Sequence, residues 1–185
     1  MQRQSDCLII GYGDIAKRTA RRLYHQGCAV TVVGRTVPLD ETGLFFSHAI
    51  KADLDQPWSL EPLPTAGFRI LYLAPPAPTG EVDSRVRNLC DRLSMRLPAT
   101  PQGIVYVSTS GVYGDCAGEI VDEKRPVNPQ TDRAQRRVDA ENVLQKWGAA
   151  HLVPVVILRV AGIYGPGRLP LQRLQAGMPV LLPEQ

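Results

Sequence analysis

Short, unbroken apolar runs recur along the chain at residues 7–10, 29–33, 69–74, 103–108 and 154–160, rich in valine, isoleucine and leucine. Runs without alternation mark strands buried on both faces. The segments between them carry apolar residues at helical spacing, as with Ala16, Ala20, Leu23 and Tyr24. The pattern predicts strand 6–11, helix 14–26, strands 29–34, 48–52 and 69–74, helix 81–97, strand 103–108, helix 133–148 and strand 154–160. Residues 36–47 and 55–67 read as loops. Residues 171–178 read as a short helix and 179–182 as a short strand. Strands alternating with helices imply an α/β fold, a doubly wound parallel sheet covered on both faces. Clustered prolines at 57–64, 75–78, 98–101 and 126–129 punctuate the turns.

The first strand runs directly into Gly11-Tyr12-Gly13-Asp14-Ile15-Ala16, a G-x-G-x-x-A turn that opens a helix. In this strand–turn–helix setting each residue has a physical task. Gly11 permits the tight turn, Gly13 lets a pyrophosphate approach the backbone, and Ala16 lets the helix lie on the strand. Asp14 and Ile15 open the helix, whose free N–H groups and dipole suit phosphate. The second strand ends in Gly34-Arg35-Thr36, where an NAD-selective site would hold an acidic residue. A guanidinium instead suits a 2′-phosphate, so Arg35 and Thr36 favour NADP(H) over NAD(H). Arg35 is alternatively a solvated loop residue. Asp53 and Leu54 fall near the adenine edge, although Asp53 equally suits an Asx turn. Ala74 and Pro75 end strand 69–74 beside the glycine turn, at the sheet's switch point.

Composition narrows the classes. The 185 residues are 44% hydrophobic and 21% charged, with net charge +3, as for an ordinary globular domain. That charge is small and scattered, which argues against nucleic acid. No apolar stretch reaches membrane-span length, and residues 1–6 lack a signal-peptide core. Cys7, Cys28, Cys90 and Cys116 are widely spaced and read as reduced thiols, implying a cytoplasmic setting. No metal-ligand spacing is visible. Asp132, Asp139, His25 and His151 are expected at the surface.

Two further segments stand out: Ser108-Thr109-Ser110-Gly111-Val112-Tyr113-Gly114, and Leu158-Arg159 followed by Tyr164-Gly165-Pro166-Gly167. With the glycine turn, and in this order, they resemble the extended short-chain dehydrogenase/reductase superfamily, the group of nucleotide-sugar epimerases and dehydratases. The resemblance implies a Rossmann fold, with Thr109 bonding the substrate oxygen that undergoes redox and Ser108 beside it. The superfamily's Tyr-x-x-x-Lys is missing: Ala16, Cys28, Pro76, Ser110, Ala117 and Arg168 stand four residues after the six tyrosines. If Glu141 matches the superfamily's glutamate, Arg137 takes the lysine position and Arg133 the tyrosine position. This resembles the atypical subgroup. Arginine holds its proton, so Arg133 is no proton shuttle. Arg137 could still donate to a ribose hydroxyl, or simply pair with Glu141 one turn on. Tyr113, water or another group would then handle the proton.

The resemblance also implies a homodimer through helices 81–97 and 133–148. It divides the chain into a dinucleotide-binding domain at 1–168 and, at 169–185, the start of a substrate region that is largely missing. Two functions stand at this point. One is an oxidoreductase or epimerase acting on a carbonyl or hydroxyl of a small molecule or nucleotide sugar. The other is a non-catalytic NADP(H)-binding sensor.

Overall fold

A computed structural model describes residues 6–37, 45–64, 67–95, 97, 99–165 and 175–177. Its strands are β1 (Asp6–Ile10), β2 (Val30–Gly34), β3 (His48–Lys51), β4 (Phe68–Tyr72), β5 (Gly103–Thr109) and β6 (Val155–Val160). All pair in parallel, in the order β3-β2-β1-β4-β5-β6. The order reverses between β1 and β4, so a crevice opens at the carboxyl ends of these two strands, where open α/β sheets bind ligands.

The side chains of β1 show how the two faces are filled. Leu8 and Ile10 enter one core with Ile70, Tyr72, Ile104 and Tyr106. Ile9 enters a second core with Val30, Val32, Ala16 and Ala20. Helix α1 (Asp14–His25) covers the second core through its two small buried alanines. Helices α2 (Ser84–Ser94) and α3 (Asp132–His151) cover the first. Each transfer of an aliphatic side chain into such a core stabilises by about 1.5–3 kcal/mol. On the outer side of β6, Val156 and Leu158 are exposed.

Several element ends differ from the periodicity. Helix 81–97 begins later because Asp83 caps α2, accepting from the N–H groups of Arg85 and Val86. Helix 133–148 runs longer because Thr131 caps α3 at Ala134 and the end extends to His151. The expected loop 55–67 contains a 3-10 helix, Pro57–Leu60, too short for a periodicity to show. Asp139 is not a solvent-facing residue. It accepts from the Asp83 N–H at 2.8 Å and from Arg87, tying α3 to the start of α2. Most of the helix expected at 171–178, and the strand at 179–182, lie outside the described residues.

Gly148, buried in α3, is where the helix lies closest to the chain behind it. A Cβ there would meet Val155 Cγ2 at 2.5 Å and the Val153 carbonyl at 2.6 Å. Backbone gives way less readily than a side chain, so Gly148→Ala is expected to cost about 1–3 kcal/mol. Urea unfolding measures this, and an unchanged midpoint contradicts the packing described.

Candidate active site

The two glycines of the first turn answer to different constraints. Gly11 has φ of +94°, and a Cβ on it would lie 2.6 Å from the Ala74 nitrogen. The fold itself therefore demands glycine there. Gly13 has an extended backbone, φ −91° and ψ −166°, and a Cβ on it would meet nothing within 4 Å. The protein alone does not require glycine at this second position; a group approaching the helix end would. Helix α1 also starts without a side-chain cap, whereas Asp83 and Thr131 cap α2 and α3. Its N-cap residue Gly13 lines the crevice, and the free N–H groups of such a helix end suit phosphate. The Asp14 carboxylate turns back to Arg18 at 3.1 Å.

A cavity of about 220 Å³ follows this turn, lined by Gly11, Gly13, Arg35, Thr36, Asp53, Leu54, Ala74 and Pro75. The structure thus gathers eight of the sequence-predicted positions in one place. Asp53 also makes the Asx turn, with Oδ1 accepting from the Asp55 N–H at 3.1 Å. Arg85 lines the same cavity, a residue the sequence pattern did not single out. It donates to Asp55 through Nε (2.8 Å) and Nη2 (2.6 Å), and to the Pro75 and Pro76 carbonyls. Its partner is 30 positions upstream, so no local signal marks it.

Leu73 and Pro75 join this cavity to a second concavity of about 640 Å³, which Ile15, Ser108, Thr109, Arg133 and Arg137 also line. Thr109 caps the turn after β5, its hydroxyl accepting from the Gly111 N–H at 3.2 Å. Arg137, from the second turn of α3, donates to the Tyr106 hydroxyl and the Val107 carbonyl, each at 2.9 Å. Burial pushes the Tyr106 phenol up to about 12, although the adjacent Arg137 charge pulls the other way.

Glu141 does not pair with Arg137. Ser108 and Arg159 are opposed in the β5–β6 register, and the buried Glu141 carboxylate lies under both. It accepts from the Ser108 hydroxyl at 2.5 Å and from Arg159 Nη2 at 2.7 Å. Arg159 Nη1 donates to the Tyr113 hydroxyl at 3.0 Å, and its guanidinium stacks over that ring. Hydrogen bonding to Glu141 raises the Arg159 pKa further. Tyr113 lines a third concavity with Arg159 and Ser110, and it is not among the residues lining the Thr109 concavity. Among the described residues, no group of three His, Cys, Asp or Glu is placed to hold a metal.

This parallel sheet with a glycine turn at its switch point defines a Rossmann-like α/β protein. The NAD dependent epimerase/dehydratase family model matches residues 7–179, and the chain belongs to that family. Human dTDP-D-glucose 4,6-dehydratase is 35% identical over 72 residues, which are 39% of this chain and 21% of that protein. Protein YeeZ of Escherichia coli K12 is 42% identical over 89 residues, 46% of this chain and 28% of that one. A Methylobacillus flagellatus structure assigned as an NAD-dependent epimerase/dehydratase superposes with a TM-score of 0.73 at 30% identity. That match covers 92% of this chain and 59% of the other. The Thermus thermophilus UDP-glucose 4-epimerase, solved with NAD, shares the fold at TM-score 0.72 and 21% identity, with 95% and 64% covered. The chain thus spans about three-fifths of the length of these solved structures.

The Arg85–Asp55 pair ties the wall of the first cavity to the loop after β3, and its titration is testable. Hydrogen bonds from Arg85 hold the Asp55 carboxyl below its ordinary value. A lowered folded-state value stabilises above the unfolded pKa of about 3.9 and is lost as pH falls through the folded value. The stability gap between wild type and Asp55→Asn is therefore expected to be constant from pH 7 to about 4 and to close below it. Urea midpoints across this range measure the gap; one that stays constant to about pH 2 contradicts the pairing.

Proposed function

We propose that the chain binds NADP(H) across the carboxyl ends of β2, β1, β4 and β5 and holds a substrate carbonyl or hydroxyl at Thr109 for oxidoreduction. The observation that carries this reading is Gly13, a glycine without need in its own fold, placed at the one long helix that lacks a side-chain cap among the described residues. In this reading the N–H groups of Asp14 and Ile15 meet the pyrophosphate, and Arg35 and Thr36 meet the 2′-phosphate. Asp53 and Leu54 border the adenine, and Ala74 and Pro75 support the middle of the cofactor. Arg137 keeps Nη2 and Nε beyond its bonds to Tyr106 and Val107, and these reach a ribose hydroxyl.

When bound, the nicotinamide supplies hydride transfer. The chain positions the reacting oxygen through the Thr109 hydroxyl, with Ser108 fixed beside it by Glu141. Arg133 stays protonated and cannot relay a proton, so water carries it. Tyr113 is held by Arg159 and shapes the neighbouring concavity. Membership of an enzyme family supports this reading over a non-catalytic sensor. The substrate is a small molecule or nucleotide sugar, the class named for the dehydratase and epimerase relatives. Helices α2 and α3 form the homodimer surface in this reading. The setting is cytoplasmic, where the four free thiols of Cys7, Cys28, Cys90 and Cys116 stay reduced.

Two variants test the cofactor site. Gly13→Val fills the space open to the pyrophosphate and replaces a favourable N-cap residue, so NADPH affinity is expected to fall at least ~100-fold, or about 2.7 kcal/mol, with a stability loss of no more than about 2 kcal/mol. Calorimetry showing retained affinity contradicts the glycine-turn assignment. Arg35→Asp removes a charge-assisted contact and adds repulsion, so NADPH binding is expected to weaken at least ~10-fold more than NADH binding. Equal losses for the two cofactors would remove Arg35 from the 2′-phosphate.

A further inference from the structure

The wall of the Thr109 concavity carries cations without a matching carboxylate. Arg137 is 8% exposed, and its hydrogen-bond partners among the described residues are neutral: the Tyr106 phenol and the Val107 carbonyl. Arg133 lies one helical turn earlier, is exposed, and makes no hydrogen bond or ion pair among the described residues. Both arginines line the same concavity as Thr109, and among the described residues no Asp or Glu does. The buried Glu141 carboxylate, one turn on from Arg137, is taken by Arg159 and Ser108. Asp83, whose field reaches Arg137, caps α2 through Oδ1 and makes no hydrogen bond to Arg137; its Oδ2 is buried without a hydrogen-bond partner, and burial raises its pKa.

Like charges at i,i+4 on a helix repel, and a buried cation is costly unless paired. Two arginines one turn apart, lining a concavity with the Thr109 hydroxyl beside them, are therefore arranged for an anion. We infer that this concavity selects a substrate whose reacting carbonyl or hydroxyl, held at Thr109, lies next to an oxyanion, a carboxylate or a phosphate ester, bound by Arg133 in the field of Arg137. Arg133 is a forked donor suited to such a group. The inference rests on the dinucleotide reading above, because the reacting oxygen must face the nicotinamide.

The test titrates oxamate, methyl phosphate and the neutral analogue oxamide into the chain, free and saturated with NADPH, by calorimetry. Oxamate or methyl phosphate is expected to bind saturably to the NADPH-saturated chain, and the better of the two names the source of the anion. Oxamide is expected to bind at least 10-fold more weakly. Arg133→Ala is expected to lower anion affinity at least 10-fold while leaving NADPH affinity within twofold, and Arg133→Lys to recover part of the loss. Binding of oxamide as tight as that of oxamate, anion binding indifferent to Arg133→Ala, or no anion binding to an NADPH-saturated chain each overturns the inference alone. Failure of NADPH to bind overturns the cofactor reading instead. In that case, Arg133-dependent anion binding to the free chain upholds the anion site, and its absence overturns it too.

Discussion

The rest of the molecule depends on one close approach. Where β1 leaves the sheet, the Gly11 backbone presses against the chain leaving β4, so closely that a single Cβ would sit 2.6 Å from the Ala74 nitrogen. That contact brings the two strands on either side of the switch point to the same edge. Two residues on, the start of α1 at Gly13, which no side chain caps, lines the crevice. Leu73 and Pro75, on either side of Ala74, line both the first cavity and the Thr109 concavity, which therefore adjoin. The small residues Ala16 and Ala20 then let α1 lie flat on β1 and β2, which keeps the helix end in place.

Charge organises the other end of the groove. Arg159, Glu141, Ser108 and Tyr113 form one hydrogen-bonded chain joining β6, α3, β5 and the turn after it. Buried carboxylates carry a large desolvation cost unless fully bonded, and Glu141 is satisfied from two strands at once. This leaves Arg137 and Arg133 on the groove side without a carboxylate partner. The same helix thus fixes the sheet through one residue and presents positive charge to the groove through two others.

The glycine turn and the strands were legible because each is local. Strand type follows from unbroken apolar runs, and the G-x-G-x-x-A spacing sits between a strand and a helix in the chain itself. The ends of α2 and α3 were less legible because Asp83 and Thr131, acting as caps, overrode the apolar pattern. Long-range partners were not legible. Arg85 meets Asp55 across 30 positions, and Arg159 takes Glu141 across 18, so the plausible i,i+4 pair of Arg137 and Glu141 never forms. Strand order decides those contacts, and spacing along the chain does not show it. Motif context assigned Gly11 to the turn and Gly13 to an approaching group, and the structure gives the physical difference between them. One is needed by the fold and the other has no need in it, a difference that appears when a Cβ is placed on each.

The central claim is that the groove beginning at the glycine turn is a dinucleotide site. The most direct test follows the backbone amides of the ¹⁵N-labelled chain while NADPH is added. Saturable shifts at Gly11, Gly13, Asp14 and Ile15, with further shifts at Arg35 and Thr109, are the predicted result. Amides at the glycine turn that stay unmoved at millimolar NADPH would contradict the account.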